Sequence, residues 1–256
     1  MKKRFVFFLG LLSIGFLINS CKTEASPQEI FVVKNDQQLR EIPKATIAPT
    51  IDGIADDPAW EKREWYSLDQ RWLGKKYKKE DFKGRYKLAW TPEGIYILAE
   101  IQDDILYDNH PDPLENFWND DCLEIFVDED NSGGDHQYNY NAFAYHVALD
   151  GNVVDTSIEA KPKLYNEHVL SERKTQGNTT IWELRVNIYD DTYKDDLPMD
   201  QVILKPNKKI GFALAYCDND SSTARENFIG SIPVKGKDKN RGWIDAGIFG
   251  TLLLLE

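Results

Sequence analysis

Residues 116–143, NFWNDDCLEIFVDEDNSGGDHQYNYNAF, hold the pattern that decides the fold. A strand is predicted from Asp121 to Asp128, because every second residue from Leu123 to Val127 is aliphatic, and the other face of this strand carries Glu124. We predict the next strand at residues 136–149, with three side-chain amides on one face: Gln137, Asn139 and Asn141. Trp118 precedes both strands in a loop. The two strands therefore predict a polar sheet face that combines a carboxylate, amides and a nearby aromatic ring.

The same period of two residues recurs through most of the chain. It predicts seven more strands, at residues 82–90, 95–102, 153–157, 169–175, 180–188, 209–217 and 249–255. Turn sequences such as Thr91-Pro92-Glu93-Gly94 join neighbouring strands into hairpins. Helix is predicted only as single turns, near residues 57–60 and near Tyr189. The pattern predicts an all-β fold, an antiparallel β-sandwich of jelly-roll-like type with short helical turns.

The N-terminal segment is not expected to belong to this sandwich. Residues 1–20 begin with a basic cluster and continue with an apolar run too short to span a membrane, which predicts a signal peptide. Ile18-Asn19-Ser20-Cys21 resembles the bacterial lipobox, which implies cleavage before Cys21 and lipidation of that residue. An ordinary signal peptide with a chance cysteine is the alternative. Residues 21–40 are predicted to be a tether, which leaves one domain at residues 41–256.

The charge of the chain excludes two classes of partner. It has 43 acidic and 31 basic residues, and its formal net charge is −12 at pH 7. Such a surface repels nucleic acids and anionic lipids, so contact with a membrane is expected only through the lipid at Cys21. No nucleotide cofactor is predicted. Haem is excluded as well, because Met199 is the only methionine after the signal peptide and lies in a predicted loop.

The remaining cysteines, Cys122 and Cys217, both fall in predicted strands. Export would permit a disulfide between them. Two free, buried thiols are the favoured interpretation, because a chain with two cysteines is not a disulfide scaffold. No CxxC motif or Cys/His spacing indicates a zinc or redox site.

Four segments of the sequence form a recognisable series. They are Thr50-Ile51-Asp52-Gly53 with Asp57 and Trp60, the hairpin from Tyr86 to Ala99 with Asp103 and Asp104, the block from Trp118 to Asp128, and Phe249-Gly250-Thr251-Leu252. Together they resemble the family 9 carbohydrate-binding modules, which were first described as appendages of xylanases. The resemblance covers residues 43–255 in order. It implies a β-sandwich that binds sugar between two tryptophans, which fall on Trp118 and Trp243.

The same resemblance implies the polar partners of the sugar. The sugar-binding glutamate of the family falls on Glu124, and the strand that bears amides falls on Gln137, Asn139 and Asn141. The family pattern has an arginine at the position of Asn139. The chain departs from the pattern there and lacks a strong donor of several hydrogen bonds.

These residue types suit a neutral sugar. The faces of a pyranose ring carry C–H groups that pack on aromatic rings, while its hydroxyls bond carboxylates and amides. Neither Trp118 nor Trp243 has an apolar stripe to join, so we predict ligand contact for both. Three other tryptophans are predicted to be core residues: Trp60, Trp90 and Trp182. The sequence leaves two undecided, Trp65 and Trp72.

Calcium is the metal that the sequence suggests, because oxygen-rich loops follow several predicted strands. The candidate ligands are Asp103, Asp104, Asp128 and Asp218. Residues 128–139 open like an EF-hand loop, but Asn139 at the twelfth position cannot supply a bidentate carboxylate, so we exclude an EF-hand. The resemblance implies a structural calcium elsewhere.

Non-catalytic carbohydrate binding is the expected function. The protein is expected to be lipid-anchored in a bacterial cell envelope, on the periplasmic or surface side of the outer membrane. There it would hold plant- or host-type oligosaccharide in support of polysaccharide catabolism, beside other glycan-utilisation proteins. Two alternatives concern Glu124: it could be a structural acid bonded to Lys87 or Arg85, or it could act with Asp121 in a glycoside hydrolase.

Overall fold

The structure is a computed structural model, and it describes residues 38–256. The predicted signal peptide, the predicted lipidation site Cys21 and most of the predicted tether lie outside the described residues. The first strand begins at Leu39, so it includes the last two residues assigned to that tether.

The described residues form fourteen strands in two sheets. The strands are β1 (Leu39–Pro43), β2 (Tyr66–Leu68), β3 (Gln70–Gly74), β4 (Phe82–Thr91), β5 (Gly94–Asp103), β6 (Cys122–Asp128), β7 (Phe143–Ala148), β8 (Val153–Thr156), β9 (Pro162–Leu164), β10 (Val169–Gln176), β11 (Thr179–Val186), β12 (Lys209–Asp218), β13 (Asn227–Gly230) and β14 (Gly250–Leu255). Helix is confined to α1 (Pro58–Glu61) and two 3-10 turns, Arg241–Trp243 and Ala246–Ile248. Among residues 38–256, no helix has the length and apolar character needed to cross a membrane.

The two sheets differ in size. The larger sheet has nine strands in the order β1-β14-β12-β6-β7-β8-β9, and β13 pairs with both β12 and β3 beside this path. The smaller sheet has five strands in the order β10-β11-β5-β4-β2. Neighbouring strands are antiparallel throughout, except that β1 runs parallel to β14. This architecture confirms the predicted all-β sandwich.

Apolar side chains from both sheets meet in a core between them. In β6 the aliphatic residues enter this core as the alternation predicts, and Glu124 consequently faces the outer side of the larger sheet. The three tryptophans predicted for the interior are buried, at 2 %, 0 % and 1 % exposure for Trp60, Trp90 and Trp182. Because fully burying a large apolar side chain contributes about 1.5–3 kcal/mol, these layers supply most of the favourable free energy of folding. Trp72 is buried in a second cluster, on the outer face of the larger sheet.

Residues 136–142 form a loop, so the prediction of one strand over residues 136–149 is wrong in its first half. Within this loop the N–H of Asn141 donates to Oδ1 of Asn139 at 2.9 Å. A side-chain acceptor of this kind gives the backbone an alternative to the hydrogen bonds of a sheet. Tyr138 also adopts a left-handed φ of 58°, which interrupts an extended chain. The three amides therefore do not share a strand face: Gln137, Asn139 and Asn141.

Five strands were not predicted from the sequence: β1, β2, β3, β9 and β13. Each has only three to five residues, which is too short to show a clear alternation. The helical turn near residues 57–60 is confirmed as α1. Near Tyr189 the chain forms no helix, and the two 3-10 turns after residue 240 were not foreseen.

Glu183 on β11 holds the segment that precedes α1. Its carboxylate, at 0 % exposure, accepts hydrogen bonds from the backbone N–H groups of residues 52–54 at 3.1–3.3 Å. It also accepts from the indole N–H of Trp60 at 2.8 Å. Gly53 is required here, since its φ is 76° and an added Cβ would lie 2.9 Å from a backbone carbon of Arg173. The opening motif of the domain is therefore a structural cap on Glu183.

Candidate functional site

A cavity of about 320 Å³ opens on the outer face of the larger sheet. Side chains of β6, β7 and β8 line it from the sheet. The remaining lining comes from connecting segments, namely the loop before β6, the loop 136–142, the segment after β12 and the 3-10 turn Arg241–Trp243. The volume lies at the lower end of the range for small-molecule sites, about 300–1,000 Å³.

Trp118 forms one aromatic wall of this cavity and is 40 % exposed. Its loop is closed at the base, where the N–H of Tyr107 donates to Oδ2 of Asp121 at 2.7 Å and the N–H of Asp121 donates back to the carbonyl of Tyr107 at 2.9 Å. The ring of Phe117 packs edge-on against Trp118, with the centroids 4.9 Å apart. A large ring is thus held in place while much of its surface faces solvent.

Trp243 forms a second aromatic wall and is also 40 % exposed. Its 3-10 turn approaches the sheet closely, because a Cβ on Gly242 would lie 2.9 Å from the ring of Phe126. The carbonyl of Gly242 is 2.7 Å from Nε2 of the buried His136, which donates to it. A second hydrogen bond joins the loop 136–142 to this turn, from the N–H of His136 to the carbonyl of Ile244 at 3.0 Å. These contacts bring Trp243 to the same cavity as Trp118.

Glu124 lies on the sheet side of the cavity and is 2 % exposed. Its Oε2 is 3.1 Å from Nε2 of His146, its register partner on β7. Burial lowers the pKa of His146, but the neighbouring carboxylate outweighs this effect and the pKa is raised. Glu124 is not bonded to Lys87 or Arg85, since Lys87 donates to a backbone carbonyl and Arg85 pairs with Glu100 on the other sheet.

Arg225 supplies a cation that the sequence did not reveal. Its guanidinium lines the cavity and lies 3.9 Å from Oε2 of Glu124. Three contacts fix it: Nη2 donates to Oδ1 of Asn240 at 2.7 Å, Nη1 lies 3.1 Å from Sγ of Cys217, and the cation sits 4.0 Å over the ring of Phe228. Arg225 follows β12 in a polar loop, and no periodic pattern there marks it as inward-facing.

The predicted amides separate into two groups. Asn139 lines the cavity, together with Tyr138 from the same loop. Gln137 and Asn141 do not line it. The side chain of Asn141 instead donates to the carbonyl of Gly133 at 2.8 Å and so supports the loop. A further amide, Asn240, was not predicted and reaches the cavity beside Arg225.

Two more titratable groups in the cavity were not predicted, His146 and Asp155. His146 had a usable signal, because the apolar odd positions of β7 place its even positions on the outer face. Burial raises the pKa of Asp155 to about 7. Asp121, in contrast, does not line the cavity, and its two oxygens accept N–H groups from Tyr107 and Asn219. Tyr107, Asn109 and His110, which precede Trp118 in the segment between β5 and β6, do not line the cavity either.

A second polar region lies at the ends of β5 and β12. Asp103, Asp121 and Asp218 are buried there, and burial together with repulsion from neighbouring carboxylates raises the pKa of these carboxyls to about 6, 9 and 8. Beside them are carboxylates whose oxygens lie within 4.8 Å of one another: Asp81, Asp104 and Asp220. Three of the four predicted calcium ligands therefore lie in this region: Asp103, Asp104 and Asp218. Asp128 lies at the opposite end of β6, where its Oδ2 accepts from the N–H of Gly133 at 2.8 Å.

Cys122 and Cys217 are directly opposite each other on β6 and β12, and both are free and fully buried. Burial alone would raise the pKa of Cys217, but a hydrogen bond from Cys122 and the guanidinium of Arg225 bring it down to about 7. Donating that bond raises the pKa of Cys122 well above its ordinary value. The two thiols lie on the same outer face as Glu124.

Known proteins resemble this chain in sequence and in fold. The chain is 25% identical over 208 residues to endo-1,4-beta-xylanase C of Paenibacillus barcinonensis, an alignment that covers 81% of this chain and 16% of that enzyme. The chain thus spans about a sixth of the length of this relative. Two solved structures of a carbohydrate binding module family 9 from Caldicellulosiruptor kristjanssonii have a similar fold. The complex with cellotriose has a TM-score of 0.62 and 19% identity, over 85% of this chain and 94% of that one.

The complex with glucose has a TM-score of 0.60 and 20% identity, over 84% of this chain and 95% of that one. Likeness at this level of identity shows a common fold. The family model for the carbohydrate family 9 binding domain-like family matches residues 51–256, which is most of the sandwich. The match supports carbohydrate binding as the general function. The chain belongs to the carbohydrate family 9 binding domain-like family.

Proposed function

We propose that this protein binds a neutral oligosaccharide, without catalysis, in the cavity between Trp118 and Trp243. The observation that carries the proposal is that these two exposed tryptophans line one cavity together with a buried glutamate. Exposed aromatic rings that converge on a polar pocket are typical of ligand sites rather than of a protein core.

The aromatic walls suit the faces of a sugar ring. Each tryptophan keeps 40 % of its surface exposed in the free protein. Covering this surface with the C–H groups of a pyranose removes apolar area from water, and it adds an attraction between those hydrogens and the negative ring face. The gain is about 1.5–3 kcal/mol for a large side chain that becomes fully covered.

The polar groups suit the hydroxyls around the ring. Glu124 can accept hydrogen bonds from a pair of hydroxyls, and charge-assisted bonds are about twice as strong as neutral ones. Arg225 and Asn139 can donate to hydroxyl oxygens from other sides of the cavity. Arg225 thereby offers the cationic donor that Asn139 cannot. The ligand is expected to be uncharged, since the cavity contains both signs of charge and the protein is acidic.

The relatives suggest the class of sugar and the biological setting. Structures of similar fold hold cellotriose and glucose, so β-linked gluco-oligosaccharides are the first ligands to test. Similarity to a xylanase supports a role in polysaccharide catabolism, with plant- or host-type glycan as substrate of partner enzymes. We further propose that lipidation at Cys21 anchors the protein in a bacterial cell envelope, which mass spectrometry of the membrane-extracted protein would test.

Titration calorimetry of the purified protein with cellotriose, xylotriose and mannotriose tests the binding site. Trp118→Ala and Trp243→Ala should each weaken binding of the preferred sugar by about ten- to hundredfold, because each removes about 1.5–3 kcal/mol of ring contact. Trp65→Ala is the matched control: its ring is half-buried on the other sheet, where it contacts Arg85 and Lys87. Unchanged affinity in both cavity variants, in protein that remains folded, would refute the assignment.

A glycoside hydrolase is the second candidate, because Asp155, with its raised pKa, lines the cavity beside Glu124. Both oxygens of Asp155 already accept backbone N–H groups, at 2.8 Å and 2.6 Å, which argues against a role as proton donor. Asp121, the partner expected from the sequence, lies outside the cavity. No reducing sugar should be released from xylan or cellulose. If reducing sugar were released, and both Glu124→Gln and Asp155→Asn abolished its release, the protein would be a glycoside hydrolase and not a binding protein.

We also propose a structural calcium ion at the ends of β5 and β12. Asp103 and Asp218 fit such an ion, because carboxylates that repel one another in a buried cluster gain from a divalent cation. Asp104 approaches from the exposed side of this cluster. Calcium should raise the melting temperature and a chelator should lower it, and Asp218→Asn should abolish the difference. Asp128→Asn, at the other end of β6, should retain it.

A further inference from the structure

Two thiols and an imidazole meet on the outer face of the larger sheet. Cys122 on β6 is paired in register with Cys217 on β12, and β7 brings His146 to the other side of β6. One donor atom of each residue, the two sulfurs and a ring nitrogen, lies within 4.8 Å of the others. All three residues are buried. Because the ladder β12-β6-β7 fixes all three, the cluster is a built feature of the sheet.

We propose that Cys122, Cys217 and His146 bind a divalent cation of the Zn²⁺ class, with Glu124 as the fourth ligand. Thiolate and imidazole donors select such borderline metals over calcium and magnesium, which prefer oxygen. Oε2 of Glu124 is placed for this role, at 3.1 Å from Nε2 of His146 and 4.0 Å from Sγ of Cys217. The site is distinct from the carboxylate cluster proposed for calcium. It shares Glu124 and His146 with the cavity proposed for sugar, but its test with cobalt requires no sugar.

The distances fit a tetrahedral site after a small contraction. Zinc lies about 2.3 Å from sulfur and about 2.0 Å from nitrogen, so neighbouring ligand atoms of a tetrahedron are about 3.3–3.8 Å apart. Since the three donor atoms lie within 4.8 Å of one another, their separations need to close by at most about 1.5 Å. Rotation about the side-chain bonds of Cys122, Cys217 and His146 can supply a movement of this size without displacing the strands.

The two ring nitrogens of His146 have different surroundings, and Nε2 is the one that lies beside Glu124. The other, Nδ1, has no hydrogen-bond partner among residues 38–256, although the residue is only 7 % exposed. A buried polar atom without a partner costs about 1–3 kcal/mol. Nε2 faces Glu124 and is the nitrogen placed for the metal, so the metal would fix the tautomer with its proton on Nδ1, which can then donate to a hydroxyl or a water in the cavity.

The charges of the cluster also balance around a divalent cation. Two thiolates and the carboxylate of Glu124 carry three negative charges, of which the cation neutralises two. Arg225 neutralises the third, since its Nη1 lies 3.1 Å from Sγ of Cys217. A buried group of charges is stable only when it is compensated in this way. Because the donors come from three different strands, no spacing in the sequence could have shown the site.

A disulfide between Cys122 and Cys217 is the competing outcome, because paired positions on neighbouring strands can bring two sulfurs together. The disulfide would join the two sulfur atoms that the metal needs, and His146 and Glu124 would have no part in it. Anaerobic titration of the reduced protein with Co²⁺ separates the possibilities. The proposal predicts one equivalent of tetrahedral cobalt with thiolate-to-metal charge-transfer absorption, and its displacement by Zn²⁺.

Cys122→Ser and Cys217→Ser should each reduce the charge-transfer band by about half or more, and the double variant should lack it, while Glu124→Gln should weaken cobalt binding by about tenfold or more. Asp104→Asn, in the exposed carboxylate cluster, is the matched control and should leave the spectrum unchanged. If a serine variant does not fold, X-ray absorption of the unaltered zinc protein decides the matter, since sulfur scatterers should lie at about 2.3 Å. Cobalt with oxygen ligands alone, or reduced protein that binds no cobalt, overturns the proposal. A disulfide that forms while zinc is present also overturns it.

Discussion

Each sheet of the sandwich buries one glutamate on its outer face, and the two glutamates have different surroundings. Glu183, on the smaller sheet, accepts three backbone N–H groups and the indole N–H of Trp60, all from the chain itself. Glu124, on the larger sheet, contacts the imidazole of His146 and lies 3.9 Å from Arg225, while it lines the cavity. Glu183 and Glu124 are thus buried to a similar extent, but only Glu124 faces the cavity.

The difference lies in the number of donors that the fold provides. A buried carboxylate is tolerated only when hydrogen bonds replace its lost hydration. Glu183 is already saturated by four donors, so it has no capacity left for a ligand and serves to fix the opening motif. Glu124 has fewer donors from the protein and can accept more from a bound molecule. A motif that identifies a family, such as Thr50-Ile51-Asp52-Gly53, can thus be purely structural.

Removing the saturated carboxylate should have the largest effect. Glu183→Ala leaves three N–H groups and one indole N–H without their acceptor, so we expect the free energy of unfolding to fall by about 4 kcal/mol or more. Denaturant unfolding measures the change. Glu172→Ala is the control, because Glu172 is the exposed register partner of Glu183 on β10. Equal destabilisation by both variants would contradict the proposed cap.

His168 is a buried imidazole that contacts no carboxylate among residues 38–256, so its pKa can be compared with that of His146, which Glu124 raises. The ring nitrogens of His168 contact the hydroxyls of Tyr145 and Tyr193 at 2.7 Å and 3.0 Å. Burial lowers the pKa of His168 to about 4. Between this value and the unfolded pKa of about 6.5, the unfolded chain binds more protons, so stability is lost as the pH falls through that window.

Relative to His168→Gln, which cannot titrate, the wild-type protein should therefore lose about 3 kcal/mol of unfolding free energy between pH 7 and pH 4. Parallel denaturant titrations at several pH values measure this difference, in which all other titrating groups cancel. A difference that stays constant over the whole range would show that His168 is protonated as easily in the folded protein as in the unfolded chain.

The indole that caps Glu183 should matter for stability and not for binding. Trp60→Phe removes one charge-assisted hydrogen bond, which should reduce the free energy of unfolding by about 2 kcal/mol. Sugar affinity, measured by calorimetry on the folded fraction, should not change. Trp243→Phe on the other sheet should show the reverse, with unchanged stability and weaker binding. Loss of binding in Trp60→Phe would mean that the two faces are coupled.

The smallest expected effect tests the loop that was predicted to be a strand. Asn139→Ala should weaken sugar binding by about three- to tenfold, because the lost amide makes one hydrogen bond of about 0.5–1.5 kcal/mol. Gln137→Ala, from the same loop but outside the cavity, should leave the affinity unchanged. If the two variants had equal effects, the amides would act through the loop conformation and not by direct contact.

Sequence alternation was sufficient to predict what a single strand determines. It placed Glu124 on the outer face of β6 and Trp90 and Trp182 in the core, since neighbouring side chains of a strand point in opposite directions. It could not reveal which strands become neighbours. The meeting of His146 with Glu124 depends on the register between β6 and β7, which the pattern within a single strand does not contain.

Contacts from loops were also beyond prediction from the sequence. Arg225 reaches the cavity from the polar segment after β12, where no periodicity indicates the direction of a side chain. The approach of Trp243 depends on Gly242 fitting against Phe126, which is a matter of packing between distant residues. Sequence could identify Trp118 and Trp243 by type and by resemblance, while their common cavity is a property of the completed fold.

The parallel pairing of β1 with β14 joins residues 39–43 to residues 251–255, the greatest sequence separation of any strand pair in the sandwich. Long-range pairing of this kind slows folding, because a large loop must close before the contact forms. Because synthesis begins at the N-terminus, β1 cannot pair with β14 until the last strand of the chain has been made. The cavity, with one wall before β6 and the other just before β14, also requires parts of the chain that are more than a hundred residues apart, so sugar binding can report that these distant parts have come together.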